Sequence, residues 1–369
     1  MMYKAVATCA FGLESVLSFE LGRIGAKEVQ VTDGRAVFSA DAALIARANL
    51  WLRTAERVLI ILKEYHAATF DELFDGAYAI DWHSMLRQND AFPVKGYSMN
   101  STLTSVPACQ SVVKKAVVES LKKAYQSPFL PERGRRLRIQ FSILRDTCTI
   151  MLDTSGDGLH KRGWRPLLNQ APIKETLAAG IADLTRVRRD TRVHDPVCGS
   201  GTLVIEAAQK ARNIAPGLGR HFAFEDFCFF EEGLLETEKR AAREAVFADA
   251  PFDGLGTDID PEAVEIARRN AKAAGVADCC RFEQADATRT QLDRERLLLA
   301  NPPYGERLMT AEEARGFYRL FCGNIVRCGI DRMGIITNFA ELESFLGRPA
   351  NRRRKLYNGM LPCQLYMYF

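Results

Sequence analysis

The tetrapeptide Asn301-Pro302-Pro303-Tyr304 is the part of the sequence whose residue types predict chemistry most directly. An amine attached to an aromatic base is a weak nucleophile, because its lone pair is delocalised into the ring, so it needs hydrogen-bond acceptors and not a strong base. The Asn301 side-chain oxygen and the Pro302 carbonyl can accept its two N–H groups and aim the lone pair at an electrophile. Proline holds the backbone stiff, and Tyr304 offers a ring for base stacking. The tetrapeptide therefore predicts an active site that modifies a planar, conjugated nitrogen.

A glycine-containing turn between a predicted strand and a predicted helix indicates a cofactor site. It reads Asp195-Pro196-Val197-Cys198-Gly199-Ser200-Gly201-Thr202, and its glycines allow a ligand to approach the backbone closely. A pyrophosphate-binding turn would need Gly or Ala where Val204 stands, which disfavours a dinucleotide. S-adenosylmethionine has no phosphates, and its ammonium group can pair with Asp195. We expect cofactor contacts from Asp195, Pro196, Cys198, Gly199, Gly201 and Thr202.

Two further strand ends carry carboxylates that can bind the nucleoside part of such a cofactor. Asp258 follows the second strand, where a carboxylate can accept both ribose hydroxyls. Ile259 beside it is expected to contact the cofactor, whereas Asp260 is better explained as a helix cap. At the end of the third strand, Asp286 and Ala287 are expected near the adenine, although an aspartate there is often only a turn former.

The elements that position these residues alternate between short apolar runs and helical stretches, as in an α/β domain with a largely parallel sheet. The predicted strands cover Val193–Val197, Gly254–Asp258, Cys280–Gln284, Leu297–Ala300 and Met333–Thr337. The predicted helices cover Thr202–Lys210, Glu232–Phe247, Glu262–Ala274 and Ala311–Val326. Two strands in the tail, Lys355–Tyr357 and Gln364–Tyr368, favour an antiparallel edge. Asn301 to Tyr304 therefore follows a buried strand, which disfavours reading it as a proline-rich ligand.

The first 160 residues have no glycine-rich nucleotide turn and are expected to form a separate module. A helix is predicted over Val112–Tyr125 and strands over Leu137–Ser142 and Cys148–Asp153, with a polar linker at Asp153–Gly158. Basic clusters in this region and near the carboxyl terminus are candidates for phosphate contact, although each could be only a solvated face. The candidate RNA-binding residues are Lys114, Lys115, Arg138, Arg352, Arg353 and Arg354.

Length and composition limit the classes of protein to which the chain can belong. A chain of 369 residues predicts two or three domains, and its apolar runs are too short to span a bilayer. No signal peptide is recognised, so we expect a cytoplasmic protein. The ten cysteines lack metal-ligand spacing, and we expect neither zinc nor a disulfide scaffold. A net charge of +4 does not by itself indicate nucleic-acid binding.

Residues 64–369 resemble the THUMP-domain RNA guanine-N2 methyltransferases, a family that includes bacterial large-subunit ribosomal RNA and transfer RNA enzymes. The resemblance rests on the following segments: Thr69–Leu73, Leu159–Arg165, Ala171–Thr176, Asp195–Thr202, Ile214–Gly217, Thr257–Pro261 and Asn301–Arg307. It implies a ferredoxin-like region at 1–63, a THUMP RNA-binding domain at 64–155 and a Rossmann-like class I methyltransferase domain at 156–369. It also implies that Thr176 lies near the cofactor. Trp164 and Phe227 replace a usual Tyr and Trp, and both keep an aromatic ring.

The leading hypothesis is an S-adenosylmethionine-dependent methyltransferase that acts on structured RNA and forms N2-methylguanosine. We prefer 23S ribosomal RNA as its substrate, with transfer RNA as the alternative. The same tetrapeptide also serves methylation of adenine N6 in DNA and of glutamine amides in proteins, and the upstream RNA-binding module favours RNA. A third hypothesis is a noncatalytic RNA-binding factor in ribosome assembly. The intact glycines, Asp258 and Asn301 disfavour it.

Overall fold

A computed structural model describes residues 1–165, 173–303 and 310–369, which form two seven-stranded sheets flanked by helices. The strands are β1 Tyr3–Cys9, β2 Lys27–Thr32, β3 Arg35–Ala40, β4 Ala55–His66, β5 Val94–Met99, β6 Ile139–Leu144, β7 Thr147–Asp153, β8 Arg192–Asp195, β9 Asp253–Asp258, β10 Cys280–Gln284, β11 Leu297–Ala300, β12 Met333–Thr337, β13 Arg352–Asn358 and β14 Leu361–Tyr368. The helices are α1 Glu14–Arg23, α2 Ala42–Trp51, α3 Phe70–Tyr78, α4 Val106–Tyr125, α5 Glu175–Leu184, α6 Thr202–Ala211, α7 Leu234–Glu244, α8 Pro261–Ala273, α9 Ala311–Arg327 and α10 Leu342–Leu346.

The amino-terminal sheet joins the two regions expected at 1–63 and 64–155. Its strand order is β2-β3-β1-β4-β7-β6-β5, and its pairs are antiparallel except for β5 with β6. The 12-residue strand β4 pairs with β1 on one side and β7 on the other. The boundary expected between residues 63 and 64 therefore lies inside a strand that both regions share.

The carboxyl-terminal sheet has the strand order β10-β9-β8-β11-β12-β14-β13. The five strands from β10 to β12 are parallel, and β14 and β13 add an antiparallel hairpin at one edge. This arrangement confirms the predicted Rossmann-like sheet and its antiparallel tail. Chain order reverses between β8 and β11, and in open parallel sheets ligands bind at such a reversal, beyond the carboxyl ends of the strands.

Local sequence explains where the helices begin and end. The Asp260 side chain accepts a hydrogen bond from the backbone N–H of Glu262 at 2.9 Å, and Pro261 occupies the first turn of α8. Gly275 follows the helix with a φ of +71°, a conformation that glycine adopts without strain. In the amino-terminal sheet's helix α4, Pro107 lies in the first turn, so the helix begins at Val106 and not at the predicted Val112.

The predicted linker at 153–158 is partly buried, although Asp157 within it is exposed. Thr154 and Ser155 are fully buried. The Asn49 amide of α2 donates to Thr154 Oγ1 at 2.9 Å, and its carbonyl accepts from Ser155 Oγ at 2.6 Å. Thr154 Oγ1 also donates to the carbonyl of Val58 at 2.7 Å. The small polar residues of the linker are needed because their hydrogen-bonding groups are paired inside this junction.

The carboxyl-terminal hairpin also contacts the first sheet's region. Arg354 Nε donates to the Gly12 carbonyl at 2.8 Å, and an Arg354 Nη donates to Ser15 Oγ at 3.0 Å. A Cβ atom at Gly180 of α5 would lie 2.6 Å from a methyl of Leu13, so a larger residue here would require the Leu13 side chain to move. Within the described ranges, no helix is long and apolar enough to cross a bilayer. All ten cysteines are free thiols.

We predict that Asn49→Ala lowers the free energy of unfolding by about 1–3 kcal/mol, because it leaves buried hydroxyls without partners. The measurement is a shift in the urea midpoint. Asn351→Ala is the matched control, since Asn351 is exposed and accepts one bond from the backbone of Phe369. Equal midpoints for both variants would contradict the proposed importance of the junction.

Candidate active site

The glycine-containing turn lies at the carboxyl end of β8 and leads into α6. Cys198 N donates to the Thr257 carbonyl at 2.9 Å, which joins the turn to β9. Gly201 has a φ of +80°, and a Cβ there would lie 2.9 Å from the Phe282 ring, so the position requires glycine. Gly199 has a φ of +50° and open space around its missing side chain. The turn therefore presents an uncovered backbone edge that a ligand can approach.

Asp258 connects the ends of β8 and β9. Its carboxylate accepts from Gly199 N at 2.8 Å and from Asp260 N at 3.1 Å. Asp260 caps α8, as expected. Ile259 is 66% exposed and lies next to the carboxylate in the chain. The geometry offers a carboxylate and an apolar surface side by side, which suits a nucleoside.

Asp195 is the buried acid of the site. Its side chain accepts from Val197 N at 3.1 Å and is almost entirely shielded from solvent. Burial, and to a smaller extent the charge of Asp258, raise the pKa of Asp195 well above its ordinary value. A cationic group bound beside Asp195 would offset this cost, because it favours the ionised carboxylate.

Asp286 and Ala287 follow β10 at the same edge of the sheet. One Asp286 oxygen accepts both from Thr288 N at 2.8 Å and from Thr288 Oγ1 at 2.6 Å, and these bonds lower the pKa of Asp286. The residue thus stabilises its own turn. Ala287 is buried, and its carbonyl accepts from Asn324 at 2.8 Å. The adenine contact expected for these two residues stays a prediction.

Asn301 follows β11 on the other side of the chain reversal. Its side-chain oxygen is buried and has no hydrogen-bond partner within the part of the chain that the structure describes. A buried acceptor without a partner is costly, and a bound ligand or an ordered water that donates to it would remove that cost. Pro302 is buried and Pro303 half-buried. Tyr304, predicted as the stacking residue, lies outside the described residues.

Thr176, expected near the cofactor from the resemblance, contacts the amino-terminal region instead of open space. It lies buried in α5, and its Oγ1 donates to Glu56 of β4 at 2.6 Å. The other Glu56 oxygen lies 3.3 Å from His160 Nδ1 and 3.4 Å from Lys174 Nζ. Burial alone would raise the pKa of Glu56, but the bonds from His160 and Thr176 and the charge of Lys174 lower it to about 2.

Two buried ion pairs support the turn from below, and sequence reasoning did not identify them. Arg162 Nε lies 3.2 Å from Glu206 of α6, and both side chains are almost completely buried. Arg165 Nε lies 3.0 Å from Glu175, while an Arg165 Nη donates to Thr202 Oγ1 at 3.0 Å. Their charges could have been noticed in the segments that carry the resemblance, but only the fold shows that these segments meet beneath α6.

The six basic residues predicted to contact RNA differ in how far they are available. Lys114 is half-buried, donates to Glu132 at 2.5 Å and to the Phe92 carbonyl at 3.2 Å, and burial lowers its pKa. Arg138 lies 3.4 Å from Asp153. These two side chains have partners within their own domain, and the phosphate contact expected for them stays a prediction.

The remaining four lie on α4 and β13. Arg353 pairs with Glu343, and Arg354 contacts Gly12 and Ser15 as described above. Lys115 and Arg352 are exposed, and neither has an ion-pair partner among the described residues. Lys115 and Arg352 therefore keep the best access to RNA of the six.

Comparison with protein families matches all three regions of the chain. Residues 162–367 match the RMKL-like methyltransferase domain, residues 4–59 the RlmL ferredoxin-like domain and residues 67–153 the THUMP domain. The putative RNA methyltransferase YpsC of Bacillus subtilis (strain 168) is 40% identical over 370 residues, which cover 100% of this chain and 96% of that protein.

Solved structures show the same architecture. SMU.472, a putative methyltransferase complexed with SAH, is 39% identical, has a TM-score of 0.91 and is matched over 100% of this chain and 98% of its own. A predicted N6-adenine-specific DNA methylase from Listeria monocytogenes is 41% identical, with a TM-score of 0.92 and coverage of 100% and 96%. TrmN from Thermus thermophilus, at 20% identity and a TM-score of 0.70 over the full length of both chains, shows the fold alone.

The low pKa of Glu56 predicts a pH-dependent contribution to stability. Because the folded pKa of about 2 lies below the ordinary 4.5, the stabilisation is complete above pH 4.5 and is lost as the pH falls from there towards 2. Glu56→Gln should therefore lower the free energy of unfolding by about 1–3 kcal/mol at neutral pH, and the gap to the wild type should narrow with acidification.

The measurement is the urea midpoint of both proteins between about pH 7 and pH 3. Glu283→Gln is the control, because Glu283 is exposed and has no ion pair among the described residues. A gap between wild type and Glu56→Gln that is constant with pH would mean that the ionised Glu56 carboxylate does not carry the contact.

Proposed function

Because the chain belongs to the family of RMKL-like methyltransferase domains, joined here to RlmL ferredoxin-like and THUMP domains, we propose that it methylates the N2 amine of guanine in RNA with S-adenosylmethionine. The observation that carries the proposal is the buried Asn301 Oδ1, which lacks a partner among the described residues. An amine on a planar base is the donor that this oxygen suits. The acceptor lies across the chain reversal from the cofactor turn, where the two reactants would meet.

The residues at the end of β11 can activate the amine without a general base. Asn301 Oδ1 and the Pro302 carbonyl can accept its two N–H groups, which favours a tetrahedral nitrogen with its lone pair directed at the methyl group. Transfer would break the bond between the methyl carbon and the sulfonium sulfur, which would leave as a neutral thioether, and the methylated nitrogen, now cationic and strongly acidic, would lose a proton. Water can accept that proton. Positioning and desolvation by these residues would supply the catalysis.

The chain's own residues fit S-adenosylmethionine. When bound, it supplies an electrophilic methyl group on a sulfonium, together with an ammonium, a carboxylate and an adenosine. Asp195 is a buried carboxylate suited to the ammonium, and Asp258 beside the exposed Ile259 suits the ribose and adenine. The open space beside Gly199 suits the part of the cofactor that carries the sulfonium and the carboxylate. SMU.472, a full-length relative at 39% identity, is complexed with SAH.

RNA is preferred over DNA as the substrate because a THUMP domain precedes the catalytic domain and YpsC is named as an RNA methyltransferase. Guanine N2 and a site in 23S ribosomal RNA are chosen from the family resemblance, with transfer RNA as the alternative. Nucleoside mass spectrometry on RNA from a strain lacking the gene tests both choices. Loss of N2-methylguanosine from ribosomal RNA is expected, whereas loss of N6-methyladenosine would replace guanine by adenine.

We expect Asn301→Ala to reduce methyl transfer by about 10²- to 10³-fold, the effect of removing one preorganised polar group. Affinity for S-adenosylmethionine should stay unchanged, because the side chain acts on the target amine. Transfer of tritiated methyl groups to RNA and calorimetry of cofactor binding measure the two quantities. Turnover equal to the wild type would exclude Asn301 as the acceptor.

Asp258→Ala should weaken cofactor binding by roughly 1–3 kcal/mol, since the variant loses a charged acceptor and the bond that orders Gly199. Calorimetry against S-adenosylmethionine provides the measurement. Asp249→Ala is the control, because Asp249 is exposed in the loop after α7, away from the carboxyl ends of the strands. Equal affinities would place the ribose contact on another residue.

A further inference from the structure

A shallow pocket lies beside the proposed active site, at the edge where β12 ends and the carboxyl-terminal hairpin begins. Its lining is Asn338, Ala340, Lys355, Pro362, Cys363, Gln364 and Tyr366. Asn338 follows the last residue of β12, so it lies at the carboxyl edge of the sheet, as Asn301 does after β11. The two strands are parallel neighbours with Ala300 opposite Ile335. The pocket and the proposed acceptor therefore face the same side of the molecule.

Strand register brings the polar groups of the pocket together. Gln364 of β14 lies opposite Thr337 on one side and Lys355 of β13 on the other. With strands about 4.8 Å apart, Gln364 lies roughly 10 Å from β11. This separation is comparable with the span of one nucleotide and its phosphate.

The polar side chains of the pocket make few contacts within the described residues, the Lys355 ammonium lying 5.6 Å from the centre of the Tyr357 ring. Asn338, Gln364 and Lys355 have no hydrogen-bond or ion-pair partner among the residues that the structure describes, although their neighbours do. Two acids that follow β12 in the chain have other partners. Glu343 pairs with Arg353, and Glu341 lies 2.9 Å from Arg315.

The chemistry of the lining selects a ligand with a neutral polar part and an anionic part. Two side-chain amides can each donate and accept, as the edge of a nucleobase requires, and the Lys355 ammonium suits a phosphate. Tyr366 contributes an aromatic ring to the wall. Among the described residues, no carboxylate lines the pocket to repel an anion.

We propose that this pocket binds the nucleotide adjacent to the methylated base, and that Asn338, Gln364 and Lys355 thereby determine which RNA sequence is accepted. The inference rests on the proposed RNA methylation and adds its specificity. An enzyme that extrudes its target base can select its site through contacts to the flanking nucleotides. The amides read the flanking base, and Lys355 holds its phosphate.

The test uses three variants. The first carries both Asn338→Ala and Gln364→Ala, the second carries Lys355→Ala alone, and the third, Lys272→Ala, is the control. Lys272 is exposed in the last turn of α8, which packs against β9 and β10 on the far side of the sheet. The substrate is total RNA from a strain lacking the gene, and the readouts are kcat, KM for RNA and calorimetric affinity for S-adenosylmethionine. Urea unfolding checks that each variant is folded.

We expect KM for RNA to rise about tenfold or more in the double and Lys355 variants, with kcat and cofactor affinity within about twofold of the wild type. Lys272→Ala should match the wild type. Transcripts carrying each of the four nucleotides beside the modified position should be discriminated by the wild type and much less by the double variant. Only the Lys355 variant should show a weaker salt dependence, because it alone loses a phosphate contact.

Unchanged KM and unchanged nucleotide preference in a folded double variant would overturn the pocket and leave the proposed methylation standing. Methylation of RNA at adenine would overturn the proposed base, while the flanking-nucleotide measurement would still decide the pocket. Methyl transfer to DNA fragments with none to RNA would overturn both.

Discussion

The reversal of strand order between β8 and β11 is the constraint on which the site depends. Helices and chain connections diverge to opposite sides at this point, which leaves a crevice beyond the carboxyl ends of the strands. The cofactor turn follows β8 and Asn301 follows β11, although more than 100 residues separate them along the chain. Their proximity results from a buried, parallel pairing in which Leu297 lies opposite Val193. Neither half of the site could form without that pairing.

Buried polar contacts fix the RNA-binding module relative to this crevice. Glu56 of β4 accepts a hydrogen bond from Thr176 of α5, which joins the amino-terminal sheet to the methyltransferase domain. Arg354 ties the carboxyl-terminal hairpin to the loop before α1. Displacing the partner of a buried polar group costs free energy, because the group is then left without a hydrogen bond. These contacts therefore favour one relative orientation of the two parts. A fixed orientation matters for a modifying enzyme because the distance from the captured RNA to the reacting amine decides which nucleotide is reached.

The strands and helices of the catalytic domain were predicted well, because each is specified by a short stretch of sequence. Three strands, β10, β11 and β12, have the predicted bounds, and Asp260 caps α8 as predicted. The shared strand β4 was missed because its pairing joins β1 to β7, which lies almost 90 residues further along the chain. The burial of Thr154 and Ser155 in the linker could not be predicted, since polar and small residues look alike whether they face water or satisfy one another inside a junction.

The same limit explains the predicted RNA contacts. A helical stripe of lysines indicates a charged face, but only the fold shows that Lys114 turns towards Glu132 while Lys115 stays exposed. Charge is likewise unevenly divided along the sheet edge. The β8 to β10 half carries Asp195, Asp258 and Asp286, whereas the described lining of the pocket between β12 and β13 contains Lys355 and no carboxylate. A cationic cofactor and a polyanionic RNA need opposite surroundings, and a single mixed sheet supplies both on either side of Asn301.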